Sequence, residues 1–435
     1  MLILTLKKIV QKIPYFPGVF LKYIPFSWKV GGEYLNQRNK LFKFNDSRNI
    51  NYVLHNLNFI VNYALSNFEF YRNFYGVTSY SIKSIDDFQK LPILTKEDAR
   101  ILAKEVSNGY LKLNTGGSTG KPLSFYIDSN GLAREWSHLH FIWKDYGYNP
   151  RQLMLTALGA RTNNLTVKFH AVNNEFLVNP NICEKNEYLE LLKTILNHKI
   201  KYFQGYPSNI YKIMIDFKKF LDDDEFQSLI STIRVCFLSS EFTPNYMINF
   251  LKYDCNLNLL TWYGHSEMCV FASDKDLHNN YLPFYSYGYP ESFDNCLLGT
   301  SYFNLDMPLI RYNTEDVISA EYDYNGLISN FKMIEGRVGD FVLDKNHTKI
   351  SLTILIFGQH HEIFNVCEFV QAFQKKSGDL TFLISGFNNK HDFVPGKYFD
   401  LNGFNFNFDF IFLKKPIKSI TGKLKLKLSK DDFTK

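Results

Sequence analysis

The sequence lacks the cysteine spacings that zinc sites and disulfide frameworks require. Its six cysteines are scattered along 435 residues without a C-x-x-C pair, which argues against a structural metal site and against a secreted, disulfide-stapled fold. Long apolar runs are missing as well. None reaches the roughly 18 residues that a membrane-spanning helix needs. We therefore expect no transmembrane segment and a cytoplasmic location.

A strong excess of one charge is also absent. The formal net charge is +6, with 49 basic and 43 acidic residues mixed along the chain, and this balance predicts no nucleic-acid partner. The chain begins with an apolar stretch, but lysines interrupt it and no small-residue cleavage site follows. We expect an amphipathic helix there. The oligomeric state is left open by these features.

A loop rich in glycine and hydroxyl residues is the most informative local feature. It consists of Thr115, Gly116, Gly117, Ser118, Thr119, Gly120 and Lys121, followed by Pro122. The N–H and O–H donors of such a loop can converge on anionic oxygens, which predicts a phosphate-binding loop. Strand-like residues 111–113 and 123–127 flank it, whereas the P-loop of kinases and GTPases opens a helix and has Ser or Thr after its lysine. A flexible hairpin is the alternative.

The periodicity of the chain predicts an α/β protein. Residues 1–80 have helical spacing and form a helical lead-in. From residue 151, short strands alternate with helices, which indicates parallel strands covered by helices. Turn residues and short strands in 283–335 predict a smaller β unit. We place the core of the large domain at 81–338 and a C-terminal α+β domain at 339–435, with a helix over residues 362–375.

Polar residues follow two neighbouring strands of this predicted sheet. Ser240 and Glu241 come after one strand, and Tyr263, Gly264, His265, Ser266 and Glu267 come after the next. Ligands of open α/β sheets bind at the carboxyl ends of strands, so these residues form a candidate site. A carboxylate beside a phosphate loop implies a divalent cation between them. Two solvated loop glutamates are the alternative.

Three later motifs complete a recognisable order: Pro308 to Asp316, Glu335 to Asp340 with Arg337 between them, and Thr421-Gly422-Lys423. Together with the loop and the strand ends, they resemble the adenylate-forming (ANL) superfamily of acyl-CoA synthetases and adenylation domains. The resemblance is greatest to the phenylacetate-CoA ligase-like branch that includes capsular polysaccharide biosynthesis proteins. It extends from about residue 50 to the end. It implies an acyl-CoA synthetase-like fold, with mixed and parallel sheets, a β subdomain and a small mobile C-terminal domain.

The resemblance also implies roles for individual residues. The loop 115–122 would hold the ATP phosphates, and Ser240-Glu241 would lie near the adenine. The segment 263–267 matches the family's Tyr-Gly-x-Thr-Glu, in which the tyrosine packs on adenine and the glutamate, here Glu267, binds magnesium.

The remaining roles lie further along the chain. Asp316 and Arg337 would bind the ribose, Asp340 would be the hinge, and Lys423 would be the catalytic lysine. Glu315 stands where the family has a glycine, which places an extra carboxylate beside the ribose aspartate. The lysine-rich stretch that begins at Lys423 also alternates like an amphipathic strand with solvated lysines. That is the alternative role for Lys423.

The resemblance implies a ligase that uses ATP and Mg²⁺ to activate a small carboxylic acid as its acyl-AMP. The acyl acceptor would be coenzyme A, a sugar amine or a carrier, in surface polysaccharide biosynthesis. A catalytically silent homologue that acts as a binding or scaffold subunit is the second hypothesis, and Glu315 favours it. A P-loop phosphotransferase is disfavoured by Pro122 and by the strand after the loop.

Overall fold

The computed structural model describes most of the chain. The described residues are 10, 13–43, 49–106, 109–114, 123–158, 162, 165–179, 182–337, 341–357, 361–387, 392–401, 404–418 and 424–433. Within them, no helix combines the length and apolar character needed to traverse a bilayer. The predicted phosphate loop 115–121, Asp340 and Lys423 lie outside this part of the chain, and only the backbone of Arg337 is described.

The first part of the chain is helical, as its spacing predicts. The helices are α1 (Tyr15–Gly18), α2 (Phe26–Val30), α3 (Glu33–Lys43), α4 (Ile50–Asn67), α5 (Glu69–Tyr75), α6 (Ile85–Gln89) and α7 (Lys96–Glu105). Helix α4 begins where the Asn49 side chain accepts two main-chain N–H bonds. Most of its apolar stripe is buried, and α6 and α7 begin at the caps Ser84 and Thr95.

A short hairpin brackets the predicted phosphate loop. Strands β1 (Leu111–Asn114) and β2 (Ser124–Ile127) pair antiparallel, with Asn114 opposite Ser124. Phe125 and Ile127 point into the same apolar core as α4. The strand–loop–strand context is therefore confirmed, and it holds the two ends of the loop side by side.

Helix α8 (Gly131–Trp143) follows the hairpin and carries two buried histidines. His138 contacts the Ser286 hydroxyl at 3.0 Å and His140 contacts the Tyr34 hydroxyl at 2.8 Å. Burial lowers the pKa of His138 to about 4 and that of His140 to about 3, so both are neutral at pH 7. Both side chains therefore pack inside the protein.

An eight-stranded sheet forms the centre of the molecule. Its strands are β3 (Met154–Ala157), β4 (Val167–His170), β5 (Glu175–Val178), β6 (Tyr202–Gly205), β7 (Val235–Ser239), β8 (Leu259–Gly264), β9 (Phe271–Asp274) and β10 (Leu282–Pro283). Their spatial order is β10-β9-β8-β7-β6-β3-β5-β4. The strands from β5 through β3, β6 and β7 to β8 are parallel. The connecting helices are α9 (Lys185–His198), α10 (Pro207–Phe220), α11 (Asp223–Thr232) and α12 (Asn245–Asn249).

Four antiparallel strands build the second sheet, in the region where the sequence predicted a β unit. They are β11 (Gly288–Phe293), β12 (Cys296–Ser301), β13 (Tyr312–Tyr322) and β14 (Ile328–Arg337), hydrogen-bonded in chain order. Residue 94 extends this sheet, because the Leu94 N–H donates to the Arg311 carbonyl and the Leu94 carbonyl accepts from Asn313. The start of α7 is thereby fixed beside the start of β13.

Residues from 341 onward contribute a further mixed sheet and their own apolar cluster. The elements are β15 (Phe341–Leu343), β16 (Lys349–Ser351), α13 (Leu352–Phe357), β17 (Phe369–Phe373), β18 (Asp379–Ser385), α14 (Pro395–Tyr398), β19 (Asn407–Leu413) and β20 (Lys427–Leu428). The sheet order is β19-β18-β17-β20. The domain bounds 1–80, 81–338 and 339–435 remain a prediction.

The helix predicted over residues 362–375 is wrong. A single 3₁₀ turn spans Glu362–Asn365, and the strand β17 follows it. Four consecutive residues of that strand are buried, because β17 lies between β18 and β20. A short apolar run buried on both faces has no period that separates strand from helix. Strands β4 and β5 were not predicted for a related reason, since each has only four residues.

Candidate active site

The two strand ends predicted to form a site do meet. Strands β7 and β8 are parallel neighbours, with Ser239 opposite Trp262, so Ser240 just after β7 and Tyr263 near the end of β8 lie side by side. Ser240 has φ = 69° and Met268 has φ = 55°, a left-handed conformation that costs non-glycine residues energy. Such outliers persist where surrounding structure imposes them, and they concentrate at functional sites.

Glu267 is a buried carboxylate held in a defined orientation. It is 3% exposed. The Tyr312 hydroxyl donates to its Oε1 at 2.9 Å, and His265 Nδ1 lies 3.2 Å from its Oε2. The other ring nitrogen of His265 accepts from the Val270 N–H at 3.2 Å, so the neutral ring carries its proton on Nδ1 and donates it to Glu267.

The donor set around Glu267 fits a magnesium ion only in part. A carboxylate oxygen is the ligand that Mg²⁺ prefers. Among the described residues, no group of three or more His, Cys, Asp or Glu side chains is placed to hold a metal. Glu267 alone would leave most positions to phosphate oxygens and water, which is the usual arrangement for Mg²⁺ bound with a nucleotide. The residues present fit an ion delivered with ATP.

Asp316 joins this site through Tyr263. The Tyr263 hydroxyl donates to Asp316 Oδ2 at 2.5 Å, and the tyrosine ring packs edge-on against Phe331 with centroids 5.5 Å apart. Asp316 is directly opposite Arg337 in the β13–β14 ladder. The predicted ribose aspartate and the predicted adenine-packing tyrosine therefore lie together near the end of β8, and the backbone of Arg337 pairs with that of Asp316.

Glu315 has a backbone conformation that suits glycine. Its φ is 63°, in the left-handed region where a glycine pays no steric cost. Its side chain forms an ion pair with Lys96, the first residue of α7. Both side chains are largely buried, at 16% and 30% exposure. The extra carboxylate beside Asp316 is thus neutralised by a lysine that the sequence analysis did not single out.

Glu241 connects the site to the C-terminal part of the chain. Its Oε2 accepts from the Ser208 N–H at the start of α10, at 3.3 Å, and its Oε1 accepts from the Leu424 N–H at 2.9 Å. Lys418 donates to Asn209 Oδ1 at 3.0 Å and pairs with Leu424 through a β-bridge. Burial lowers the pKa of Lys418. Lys418 and Leu424, the described residues before and after segment 419–423 in the sequence, are therefore docked at the carboxyl edge of the sheet.

The other predicted residues take simpler positions. Gly264 ends β8, and Ser266 is exposed in the turn that follows. Pro207 and Ser208 open α10. Trp262 and Phe271 lie in a buried aromatic cluster with Trp143.

A buried ion pair behind the site was also missed. Arg311 Nε donates to Glu291 Oε1 at 2.6 Å, and Arg311 also donates to the carbonyls of Gln89 and Leu91. The arginine and glutamate are 4% and 3% exposed. Since Arg311 immediately precedes Tyr312, this pair anchors the strand that delivers the Glu267 donor. A lone Arg in the sequence gives no signal for such a contact.

Comparisons with solved structures support the same architecture. The 2-hydroxyisobutyryl-CoA ligase in its postadenylation state, in complex with R3-HIB-AMP, superposes with a TM-score of 0.62 at 14% identity, covering 88% of this chain and 90% of that one. The same ligase in an open conformation with 2-HIB-AMP and CoA gives 0.52 at 14% identity, covering 87% and 91%. The GH3.15 acyl acid amido synthetase gives 0.53 at 13% identity, covering 79% and 80%.

One curated relative is similar in sequence. Protein CapK of Staphylococcus aureus is 22% identical over 403 residues, which covers 83% of this chain and 85% of that protein. No protein-family model matches the sequence. The resemblance drawn from the motifs and the architecture of the solved ligases agree, and this chain has the fold of the adenylate-forming ligases.

Proposed function

We propose that this chain is an ATP-dependent ligase that activates a carboxylic acid as its acyl-AMP and transfers the acyl group to coenzyme A, an amine or a carrier. The observation that carries the proposal is the site itself. An oriented, buried Glu267 and a Tyr263–Asp316 pair share one sheet edge, and the residues that flank Lys423 dock at the same edge. The solved neighbours support it through the acyl-AMP and CoA in their complexes.

The formation of an acyl-AMP requires groups that hold ATP and stabilise the charge on its phosphates at one place. A carboxylate is a poor electrophile, so its oxygen attacks the α-phosphorus of ATP, the bond to the β-phosphate breaks, and pyrophosphate leaves. Magnesium would neutralise phosphate charge as it develops. Glu267 would bind that ion, and its carboxylate is already oriented because Tyr312 and His265 each form a hydrogen bond to one of its oxygens. In the second step, a thiol or amine attacks the acyl carbon, AMP leaves with the bonding electrons, and the nucleophile loses its proton.

A capsule-related pathway is the finer part of this proposal. It is supported by the similarity to CapK at 22% identity. The acid and the acceptor are to be identified by experiment. We expect acid-dependent ATP/pyrophosphate exchange with a subset of aromatic, aliphatic and amino acids in a screening panel. An absence of exchange with every acid, combined with an absence of ATP binding, would contradict the ligase assignment. Exchange without acylation of CoA would instead select an amine or carrier acceptor.

The second candidate, a silent scaffold homologue, is favoured by Glu315 in the place of a glycine. The Lys96–Glu315 pair weakens that argument, because the added carboxylate is compensated. The two candidates differ in a simple measurement. A ligase shows exchange with at least one acid, whereas a scaffold binds no ATP or binds it without exchange.

The compensation can be tested directly. We expect Lys96→Met to raise the Kd for ATP about fivefold, since it exposes the bound nucleotide to an unpaired carboxylate at a cost of about 1 kcal/mol. Lys96→Met combined with Glu315→Gly should restore the affinity, because both the charge and the left-handed strain are removed. The matched control is Lys90→Met, which disrupts an exposed pair with Asp87. Titration calorimetry with ATP measures all three. Unchanged affinity in Lys96→Met would show that Glu315 does not face the nucleotide.

A further inference from the structure

The segment 13–32 presents an unusual surface. Every one of its exposed residues is apolar or glycine: Pro14, Phe16, Pro17, Phe20, Tyr23, Ile24, Pro25, Trp28 and Gly32. Trp28 is 81% exposed and Phe16 is 72% exposed. A water-facing surface normally mixes such residues with polar ones, and a contiguous apolar face marks an interaction site.

The opposite side of the same segment is fixed to the body of the protein. The Tyr15 ring lies 5.0 Å from that of Phe169 and 4.2 Å from that of His198. The Phe26 ring lies 4.7 Å from that of His140. These contacts lie on the inner side of the segment, and the exposed aromatic side chains lie on its outer side. The segment is therefore packed against the body of the protein on one side and exposes its other aromatic rings.

Two further contacts attach the segment 13–32 to the body of the protein: a hydrogen bond from Lys29 and the close packing of Gly18. Lys29 donates to the Val172 carbonyl at 2.8 Å. A Cβ added at Gly18 would lie 2.9 Å from the Phe169 ring, so the segment approaches the body more closely there than a side chain would allow. Phe16 and Phe20 contact each other edge-on at 5.5 Å on the outer side. Burial inside this chain does not explain why these two rings are there.

Charge accompanies this face. The first 32 residues contain five lysines and no Asp or Glu: Lys7, Lys8, Lys12, Lys22 and Lys29. In the whole chain, by contrast, 49 basic residues are mixed with 43 acidic ones. Lys22 Nζ lies 5.3 Å from the centroid of the exposed Tyr23 ring. Exposed aromatics beside lysines, without acidic residues, are the combination found in segments that lie in the headgroup region of anionic membranes.

We propose that this N-terminal face docks on the surface of a lipid bilayer that carries anionic headgroups. Phe16, Phe20 and Trp28 insert among the headgroups, and Lys22, beside the exposed Tyr23 ring, is attracted by the negative surface potential. The chain then lies on the membrane and does not span it. The charged side chains within residues 13–32 are all lysines, so electrostatic complementarity favours an anionic surface as the occupant.

Vesicle sedimentation of the full chain tests the proposal, without ATP or acid, so the result is independent of the ligase assignment. We expect binding to phosphatidylglycerol-containing phosphatidylcholine vesicles and much weaker binding to phosphatidylcholine alone. Phe20→Ser with Trp28→Ser should reduce binding at least about tenfold. Lys22→Glu should reduce it about fivefold or more. The matched control is Tyr253→Ser with Phe293→Ser, two exposed aromatics elsewhere on the surface.

Two further measurements sharpen the outcome. Trp28 is the exposed tryptophan, so vesicles should shift the fluorescence of the wild-type protein to the blue and leave Trp28→Phe unshifted. Light scattering reports self-association. An absence of vesicle binding, or binding that the Phe20/Trp28 variant retains, would overturn the proposal. A dimer that this variant abolishes, without any vesicle binding, would assign the face to a second copy of the chain.

Discussion

Replacing Lys423 by alanine is expected to lower the rate of acid-dependent ATP/pyrophosphate exchange about 10²- to 10³-fold, with little change in ATP affinity. That is the typical cost of removing one group that stabilises charge developing in a transition state. Its neighbour Leu424 is bonded to Glu241 at the carboxyl edge of the sheet. Leu424, the residue that follows Lys423 in the sequence, is therefore held beside the carboxyl end of β7.

The matched control is Lys430→Ala, which removes an exposed lysine from the same tail. It should leave exchange within about twofold of wild type, as surface substitutions usually do. The comparison distinguishes a specific role of the Lys423 charge at the reacting phosphate from a general effect of positive charge in the C-terminal stretch. If the two variants lose exchange equally, the lysines act as a solvated strand face. Lys423 then has no special role.

Arg311→Met is expected to lower the free energy of unfolding by about 3–5 kcal/mol, because it leaves Glu291 as an unpaired buried carboxylate. The penalty is large for a specific reason. One oxygen of Glu291 has no hydrogen-bond partner, and burial already raises the pKa of this group. The substitution also removes the donor to the carbonyls of Gln89 and Leu91. Urea denaturation followed by circular dichroism measures the change.

Two controls make this result specific. Arg100→Met disrupts an exposed pair with Glu97, whose side chain is 77% exposed, and should cost less than about 1 kcal/mol. Arg311→Met with Glu291→Leu replaces both charges by apolar groups and should recover most of the loss. A single Arg311→Met variant as stable as Arg100→Met would show that the buried pair contributes nothing.

The sequence alone predicts the elements and the motif positions because both depend on neighbouring residues. Short local patterns have direct structural consequences, as seen for the cap Thr95, the apolar stripe of α4 and the glycine-rich turn between two strands. The parallel core follows from the same local signals, since alternating strands and helices leave few other topologies. The meeting of Ser240 and Tyr263 at one edge was predictable for this reason.

The contacts that tune the site were not predictable. Lys96 and Glu315 are separated by 219 residues, and neither lies in a pattern that points to the other. The hydroxyl of Tyr312 reaches Glu267 only because β13 and β8 are brought together by the sheets. Buried pairs of this kind depend on tertiary packing, which single-sequence patterns do not contain.

The attachment of Leu424 to Glu241 also has a kinetic meaning. In the proposed ligase, the acyl acceptor has to reach the adenylate, so Lys418 and Leu424 would have to move away from the start of α10 and from Glu241. That movement breaks the Lys418–Asn209 and Glu241–Leu424 hydrogen bonds. Weaker bonds would then favour faster transfer, and stronger bonds would favour longer protection of the intermediate from hydrolysis.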